Sequence, residues 1–249
     1  WIMVNRQIFS KSTWQQVLPK IVLSPSLIVV FAFVYGFIIY TGYLSASDSR
    51  MMPSYDWVGF VNYSKLFALR HWKIAITNLA VFGTLYIGIC MILGLTLAIF
   101  LDQKIRFEGV IRPIFLYPMA LSFIVTGTAW KWFLDPGIGL ETIVQTWGFE
   151  GFSFRWIKDR DMAIYCVVIA AVWQTSGFVM AMFLAGLRGI DDEILKAARI
   201  DGATPFKLYT KIVIPILKPI FLSAFVVLAH MAIKSYDLVV ALTNGGPGR

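Results

Sequence analysis

Polar and aromatic side chains interrupt two of the most apolar stretches of this sequence. Gln174 and Thr175 lie together in one of them, and Ser235 follows the other. Amide and hydroxyl groups bind a solute through hydrogen bonds, while the rings of Trp173 and Phe178 offer flat surfaces to its C–H groups. Polar groups inside apolar helices are typical of a transport path. The pattern therefore indicates a candidate path for a polar solute.

Each of these residues also has an ordinary structural interpretation, which stays open. Thr and Ser in membrane helices often donate to a carbonyl of their own helix. His230 has the position of a helix–helix contact, and Lys234 and Asp237, three residues apart, are expected to pair on one helix face. Packing alone accounts equally well for the aromatic rings.

Patterns for covalent or metal chemistry do not occur in the sequence. Cys90 and Cys166 lie inside apolar runs and give neither a disulfide framework nor paired metal ligands. There is no G-x-x-x-x-G-K-[ST] phosphate loop and no H-E-x-x-H zinc motif, and the two histidines lie far apart. We expect neither an enzyme nor a metal site in this chain.

The elements that position these residues must be membrane helices, because the composition excludes an ordinary soluble domain. Hydrophobic residues make up 58% of the chain and charged residues only 14%, and the mean hydropathy is +0.73. The chain also has 20 Phe and 9 Trp, which suit packing and the two membrane interfaces. Its formal charge of +8 comes from basic residues scattered between apolar runs, so we expect no nucleic-acid partner.

Long uncharged stretches predict the membrane-spanning helices. About 20 residues of helix cross roughly 30 Å of hydrocarbon, and a helix pairs its own backbone groups in lipid. Four stretches are long enough, at residues 21–47, 74–101, 113–130 and 162–187. Residues 219–233 cross only if the helix continues through Lys234 and Asp237. We therefore predict an all-α membrane protein with five spans.

Residues 188–219 separate the last two spans, and they are cytosolic if the N-terminus is inside. Lys and Arg favour this orientation only weakly. Acidic residues at 191–193 favour a helix N-terminus, and apolar residues at helical spacing follow up to Ile200. Gly202 tolerates the positive φ that ends a helix. The first half of the loop is therefore predicted to be a short amphipathic helix that stops at residues 201–202.

A second short helix is predicted to follow at once. Thr204 is its N-cap and Pro205 its first residue, and Pro215 is expected to end it. Two helices that meet at a glycine make a bent, partly apolar knob. Such a knob either docks on a partner or lies on lipid.

Residues 196–203 of this loop read KAARIDGA, Phe206 follows them, and an Ile-Pro pair stands at residues 214–215. This pattern resembles the EAA loop of permease subunits of bacterial ATP-binding-cassette (ABC) importers, in which Glu-Ala-Ala is followed by Gly and later by an apolar residue and Pro. Lys196 stands where the family usually has Glu, although Glu193 lies one turn earlier. In that family the loop is a coupling helix that sits in a cleft of the ATPase subunit.

Further stretches resemble sugar permeases of the same family. They are residues 57–63 (WVGFVNY), 117–118 (YP), 130–137 (WKWFLDPG) and 242–248 (LTNGGPG). Residues 117–122 (YPMALS) and 233–238 (IKSYDL) are most similar to permeases of glucose or glucose/mannose systems.

The resemblance implies the type I ABC importer fold, with residues 1–249 as a single permease domain and residues 188–219 as its cytosolic coupling loop. Permeases of this family have a sixth span after the Gly-Gly-Pro turn. Since Trp1 and Arg249 are not typical termini, we expect a fragment that lacks this span. The expected location is the bacterial inner membrane, which the chain crosses several times.

The resemblance also implies the activity and the partners. The chain would move a sugar, a monosaccharide such as glucose or mannose, from periplasm to cytosol. Its expected partners are two copies of an ATPase subunit, a second permease that is a paralogue, a periplasmic sugar-binding protein, the sugar and membrane lipid. The permease itself would hold no cofactor, because ATP and Mg²⁺ are used by the partner ATPase.

Two groups of residues follow as candidate sites. The family's pocket positions match Thr175, Phe178, Ala232 and Ser235 most nearly, and with Trp173 and Gln174 these residues form the predicted substrate path. The residues expected to couple the chain to the ATPase are Glu193, Lys196, Ala197, Ala198, Asp201, Gly202, Ala203 and Phe206.

Three other functions would each require features of their own in the sequence. A secondary transporter for a small polar solute needs ionisable groups in the middle of several spans or repeats with broken helices. An intramembrane enzyme needs a nucleophile with its base, or metal ligands, at membrane depth. A purely structural subunit would leave Gln174 and Ser235 without a role. The secondary transporter is the alternative that stays open.

Overall fold

Helices form nearly all of the regular structure in residues 17–50, 52–103 and 107–246, the part of the chain that this computed structural model describes. They are α1 (Val17–Ser45), α2 (Val61–Ala68), α3 (Arg70–Asp102), α4 (Glu108–Leu116), α5 (Phe123–Phe133), α6 (Leu140–Thr146), α7 (Ala163–Arg188), α8 (Asp192–Ile200), α9 (Pro205–Ile216), α10 (Lys218–Ile233) and α11 (Tyr236–Thr243). Short 3-10 turns occur at Tyr117–Ala120 and Trp156–Lys158. The predicted all-α class is confirmed.

Three of these helices, α1, α3 and α7, are long and apolar enough to cross a membrane. Two bent pairs meet the same criteria when each pair is taken together: α4 with α5, and α9 with α10. If each bent pair crosses once, the number of spans is five, as the sequence predicts. Residues 247–248 of the predicted Gly-Gly-Pro turn lie outside the described residues.

The chain divides into two compact units, Trp1–Ile74 and Ala75–Arg249. In the described part of the first unit, α1 is apolar all round and none of its most apolar window is buried within the chain. The loop after α1 is fixed by an antiparallel bridge between Ser47 and Trp57. The Asn62 side chain on α2 donates to the carbonyls of Ser45, at 3.1 Å, and Ser47, at 2.8 Å. These bonds hold α2 against the end of α1.

Helix α7 is the centre of the second unit. About two thirds of its most apolar window is buried, and it packs against α4, α5, α10 and α11. Its backbone comes close to α4 at Gly177, where a Cβ atom would collide with the backbone carbonyl of Phe115. Small residues allow this approach between membrane helices, where dispersion contacts and hydrogen bonds replace the hydrophobic effect. The side chains of α7 are therefore held by neighbours on several sides.

The third predicted span, residues 113–130, is not one continuous helix, and that expectation is wrong. Leu121 and Ser122 adopt extended backbone conformations, with ψ of 147° and 154°, and α4 and α5 are bent by 101° about this break. Ser122 then starts α5 as its N-cap, since its hydroxyl accepts from the Val125 amide at 3.3 Å. The length and low polarity of an uncharged stretch predict that it can cross a membrane, but they do not show where its helix is interrupted.

The fifth predicted span also differs from the expectation that its helix continues through Lys234 and Asp237. Helix α10 ends at Ile233, and α11 begins only at Tyr236. No ion pair within 4.0 Å joins Lys234 to Asp237 in the described structure. Both side chains are exposed, and an exposed ion pair would stabilise the fold little.

Replacing Gly177 with Ala tests the close contact between α7 and α4. Because the new methyl group meets a backbone carbonyl, overpacking should destabilise the fold by about 1–3 kcal/mol and lower the midpoint of thermal unfolding in detergent. Gly88→Ala is the matched control, since no described residue comes within 4 Å of a Cβ placed there. Equal midpoints for the two variants would contradict this packing.

Candidate functional site

The loop after α7 begins with the helix start that the acidic residues predict. The Asp191 side chain accepts from the Glu193 amide at 2.9 Å and so caps α8, whose first turn carries Asp192 and Glu193. Negative charge is favourable there because the first amides of a helix are unpaired. The start of helix α8 is therefore fixed by local interactions, the Asp191 cap and the acidic first turn.

The predicted break at Gly202 is confirmed, and its hydrogen bonds identify the turn. Gly202 has φ of +79°, its amide donates to the Arg199 carbonyl at 3.1 Å, and the Ala203 amide donates to the Ala198 carbonyl at 3.0 Å. This pair of bonds is the Schellman motif that closes helices at a left-handed residue. Apart from Gly202 itself and its two chain neighbours, no described residue has an atom within 4 Å of a Cβ built on Gly202. The backbone conformation, not crowding, therefore requires glycine there.

The second helix starts as predicted and ends later than predicted. Thr204 caps it by accepting from the Lys207 amide at 3.4 Å, and Pro205 is its first residue. Pro215 does not end it, because the helix runs on to Ile216. Proline removes one amide and crowds the carbonyl four residues earlier. The π-helical residues Tyr209–Val213 widen the turns before Pro215 and accommodate it.

The predicted coupling residues divide between the interior and the surface of the loop. Ala198 is buried in the core of the second unit, and Ala203 is half-buried beside it. Phe206 is 78% exposed. Ile200, a large apolar residue next to the turn, is 85% exposed. The remaining predicted residues, Glu193, Lys196, Ala197, Asp201 and Gly202, are also exposed. Two exposed apolar side chains, Ile200 and Phe206, thus lie on either side of the turn at Gly202.

The base of the loop is tied to two other helices by charge. Arg188, the last residue of α7, contacts the Glu108 carboxylate at 2.7 Å and the Asp102 carboxylate at 3.9 Å. Glu108 begins α4 and Asp102 ends α3. These partly exposed pairs add little stability, but they join three helix ends at the point where the loop begins. Sequence analysis missed them because the three residues are far apart in the chain.

Among the predicted path residues, Gln174 has the clearest polar environment. It is 3% exposed, and its Nε2 donates to the Leu121 carbonyl at 2.8 Å. That carbonyl lies at the break between α4 and α5, where the helical partner is lost. The other end of the amide, Oε1, is buried and has no hydrogen-bond partner in the described structure. Gln174 therefore stabilises the break and keeps one acceptor free.

A cavity of about 320 Å³ opens beside this amide. Gln174 and Thr175 line it from α7, Met231 and Asp237 line it from α10 and α11, and Ser122 belongs to the break. Asp237 and Ser122 were not among the predicted path residues. Ser122 follows a Pro-containing turn and precedes an apolar run, which is a helix-start signal, so the sequence carried a sign of this break.

The other predicted path residues have mainly structural surroundings. The Thr175 hydroxyl donates to the Ala171 carbonyl at 2.7 Å, so it bonds back to its own helix. Trp173 stacks edge-on against Trp130 with ring centroids 5.8 Å apart. Phe178 packs against the core. Ala232 and Ser235 are buried and do not line the cavity. The structure thus brings only Gln174 and Thr175 to a common cavity.

The described residues contain no group of three or more His, Cys, Asp or Glu side chains placed to hold a metal ion. Broken helices surround a mainly apolar cavity that contains a few polar side chains, and a capped helical knob lies between two apolar segments. This is the architecture of a transporter's translocation subunit.

Comparison with known proteins identifies the family. The chain belongs to the family of binding-protein-dependent transport system inner membrane components, which it matches over residues 90–248. It is 42% identical over 235 residues to the "Probable ABC transporter permease protein" of Pyrococcus horikoshii, which covers 93% of this chain and 80% of that protein. Members of this family are translocation subunits without catalytic activity, and a separate ATPase hydrolyses ATP.

Two further similarities agree with this assignment. The xylose/arabinose import permease protein XacH of Haloferax volcanii is 36% identical over 214 residues, which cover 85% of this chain and 67% of that protein. A bacterial ABC transporter involved in the import of the acidic polysaccharide alginate has the same fold, with a TM-score of 0.75 and 18% identity over 93% of this chain and 84% of that one. The predicted type I ABC importer fold is thereby confirmed.

Replacing Gln174 with Leu tests its role at the break. The Leu121 carbonyl then loses its donor, which should destabilise the fold by about 1–3 kcal/mol and lower the unfolding midpoint in detergent. Ser235→Ala serves as the control, because the Ser235 hydroxyl makes no hydrogen bond within the described residues. If Gln174→Leu unfolds at the same temperature as the parent chain, the bond does not stabilise the break.

Proposed function

We propose that this chain is a permease subunit that carries a sugar from the outside of the cell to the cytosol, with ATP hydrolysed by a partner. The cavity beside Gln174 is the part of the path that meets the solute. The family name supports a substrate delivered by a binding protein, and the related Haloferax permease is named for the import of xylose and arabinose. The sugar we propose is a monosaccharide, of which glucose and mannose are the first to test.

The observation that carries the coupling proposal is the exposed apolar surface around the turn of the knob. Ile200 and Phe206 are 85% and 78% exposed on either side of Gly202. Large apolar side chains that flank a rigid turn suit insertion into a cleft, since burying each would stabilise the complex by about 1.5–3 kcal/mol. The partner we propose for this surface is the ATPase subunit, of which the importer holds two copies.

The mechanism we propose is the one expected of the family, and this arrangement supports it. Closure of the two ATPases on ATP moves the knobs of two permeases, this chain and a paralogue. Arg188 links the base of this knob to the ends of α3 and α4, and α4 leads to the break at Leu121 and Ser122 beside the cavity. The path then opens outward to receive sugar from the binding protein, and hydrolysis of ATP restores the inward-facing state. The permease needs no cofactor of its own for these steps.

Replacing Gly202 with Val tests the docking of the knob. At φ of +79° a side chain costs roughly 1–2 kcal/mol, and a β-branched one is disfavoured further, so the turn should rearrange. The expected result is loss of the ATPase from the purified complex and loss of sugar uptake, with normal insertion into the membrane. Gly189→Ala is the control in the same loop, because Gly189 has an ordinary φ of −85° and its Cβ would meet only ordinary contacts. Normal uptake by Gly202→Val would refute the docking role.

Uptake by the assembled importer in proteoliposomes tests the substrate. We expect accumulation of labelled glucose or mannose that requires ATP, the ATPase and the binding protein. The extent to which other monosaccharides and disaccharides inhibit this uptake gives the order of substrate preference. Uptake that persists when the ATPase is inactivated would instead establish the alternative, a secondary transporter.

A further inference from the structure

The cavity beside Gln174 has an unusual balance of polar groups. Its lining residues include Asp237, which carries a carboxylate, and Gln174, whose Oε1 is buried and has no partner in the described structure. Both are acceptors. The Thr175 hydroxyl donates within its own helix, whereas the Ser122 hydroxyl accepts from a backbone amide and keeps its own proton as a donor. None of the described residues that line the cavity is Lys, Arg or His.

Nothing in the described structure neutralises the carboxylate. No ion pair within 4.0 Å joins Asp237 to a basic side chain, and Lys234, three residues earlier, is exposed and does not line the cavity. Gln174 is 3% exposed, so its free acceptor is desolvated and lacks a donor. A ligand that supplies hydroxyl donors satisfies both groups. A ligand with a carboxylate or phosphate supplies acceptors and a second negative charge.

We propose that Asp237 makes this cavity selective for neutral, hydroxyl-rich solutes and excludes anionic ones. The inference rests on the proposed function, since it concerns the same path. The fold does not impose this selectivity, because a transporter with the same fold takes part in the import of an acidic polysaccharide. Any discrimination by this cavity must therefore lie in individual side chains. In this chain, the side chain placed to provide it is Asp237.

A cysteine placed in the cavity measures its charge without the binding protein. Met119 lines the cavity and is half-buried, so we suggest Met119→Cys in the importer assembled with its ATPases. Its modification rates are compared for a trimethylammonium and a sulfonate methanethiosulfonate reagent, each normalised to a free thiol in solution. The parent chain gives the background, because Cys90 and Cys166 are fully buried.

The cationic reagent should react faster than the anionic one. Adding Asp237→Asn should lower the ratio of the two rates by roughly tenfold, the order expected when a unit charge is removed from a partly aqueous site. Asp161→Asn removes the same charge from an exposed loop that does not line the cavity, and it should leave the ratio unchanged. An unchanged ratio in Asp237→Asn would overturn the proposal. Ser122→Cys is a second reporter if Met119→Cys fails to assemble.

Protection of the reporter tests the selectivity directly. Glucose should slow modification of Met119→Cys and glucuronate should not, whereas in Asp237→Asn both should protect. Equal protection by the two sugars in Met119→Cys with Asp237 intact would also overturn the proposal. The proposed function is tested separately, by ATP-dependent sugar uptake in the parent importer. If that uptake is absent, the proposed function is wrong, but the charge measured in the cavity is unaffected.

Discussion

A break in an apolar helix leaves backbone carbonyls without partners, and lipid offers none, so each break must be satisfied by the protein itself. The hydrogen bond from Gln174 to the Leu121 carbonyl meets this constraint at the sharpest bend of the chain, the 101° turn between α4 and α5. Ser122 restarts the helix on the other side of the bend. A single buried amide on α7 therefore permits the neighbouring segment to turn.

The same constraint places polar chemistry where helices break. Gln174 can reach the bend because Gly177, one turn further along α7, lets its backbone approach α4 closely. The second break, between α10 and α11, brings Asp237 to the same cavity. A set of continuous helices would present packed apolar side chains at this point. The interrupted helices instead surround a space with two free acceptors, which suits a solute that carries hydroxyl donors.

The knob is built by a different physical rule. Its helices are capped by their own side chains, Asp191 and Thr204, and joined by a Schellman turn at Gly202, so its shape depends little on the rest of the chain. Some of its apolar residues are buried and anchor it, and others are exposed. Ala198 fixes α8 to the core, while Ile200 and Phe206 stay exposed. A rigid, anchored knob with bare apolar residues is suited to transmit motion from a partner.

The sequence by itself determined the membrane character, the all-α class and the local structure of the knob, because hydropathy, caps and a glycine with positive φ act over a few neighbouring residues. Only the tertiary structure decided the paths of the third and fifth apolar segments, the residues of the cavity and the partners of Arg188. Thr175 and Gln174 are neighbours in the sequence, yet one bonds to its own helix and the other to a carbonyl 53 residues away. Residue type and spacing do not distinguish them, because the partner of a buried polar group is set by packing between distant segments.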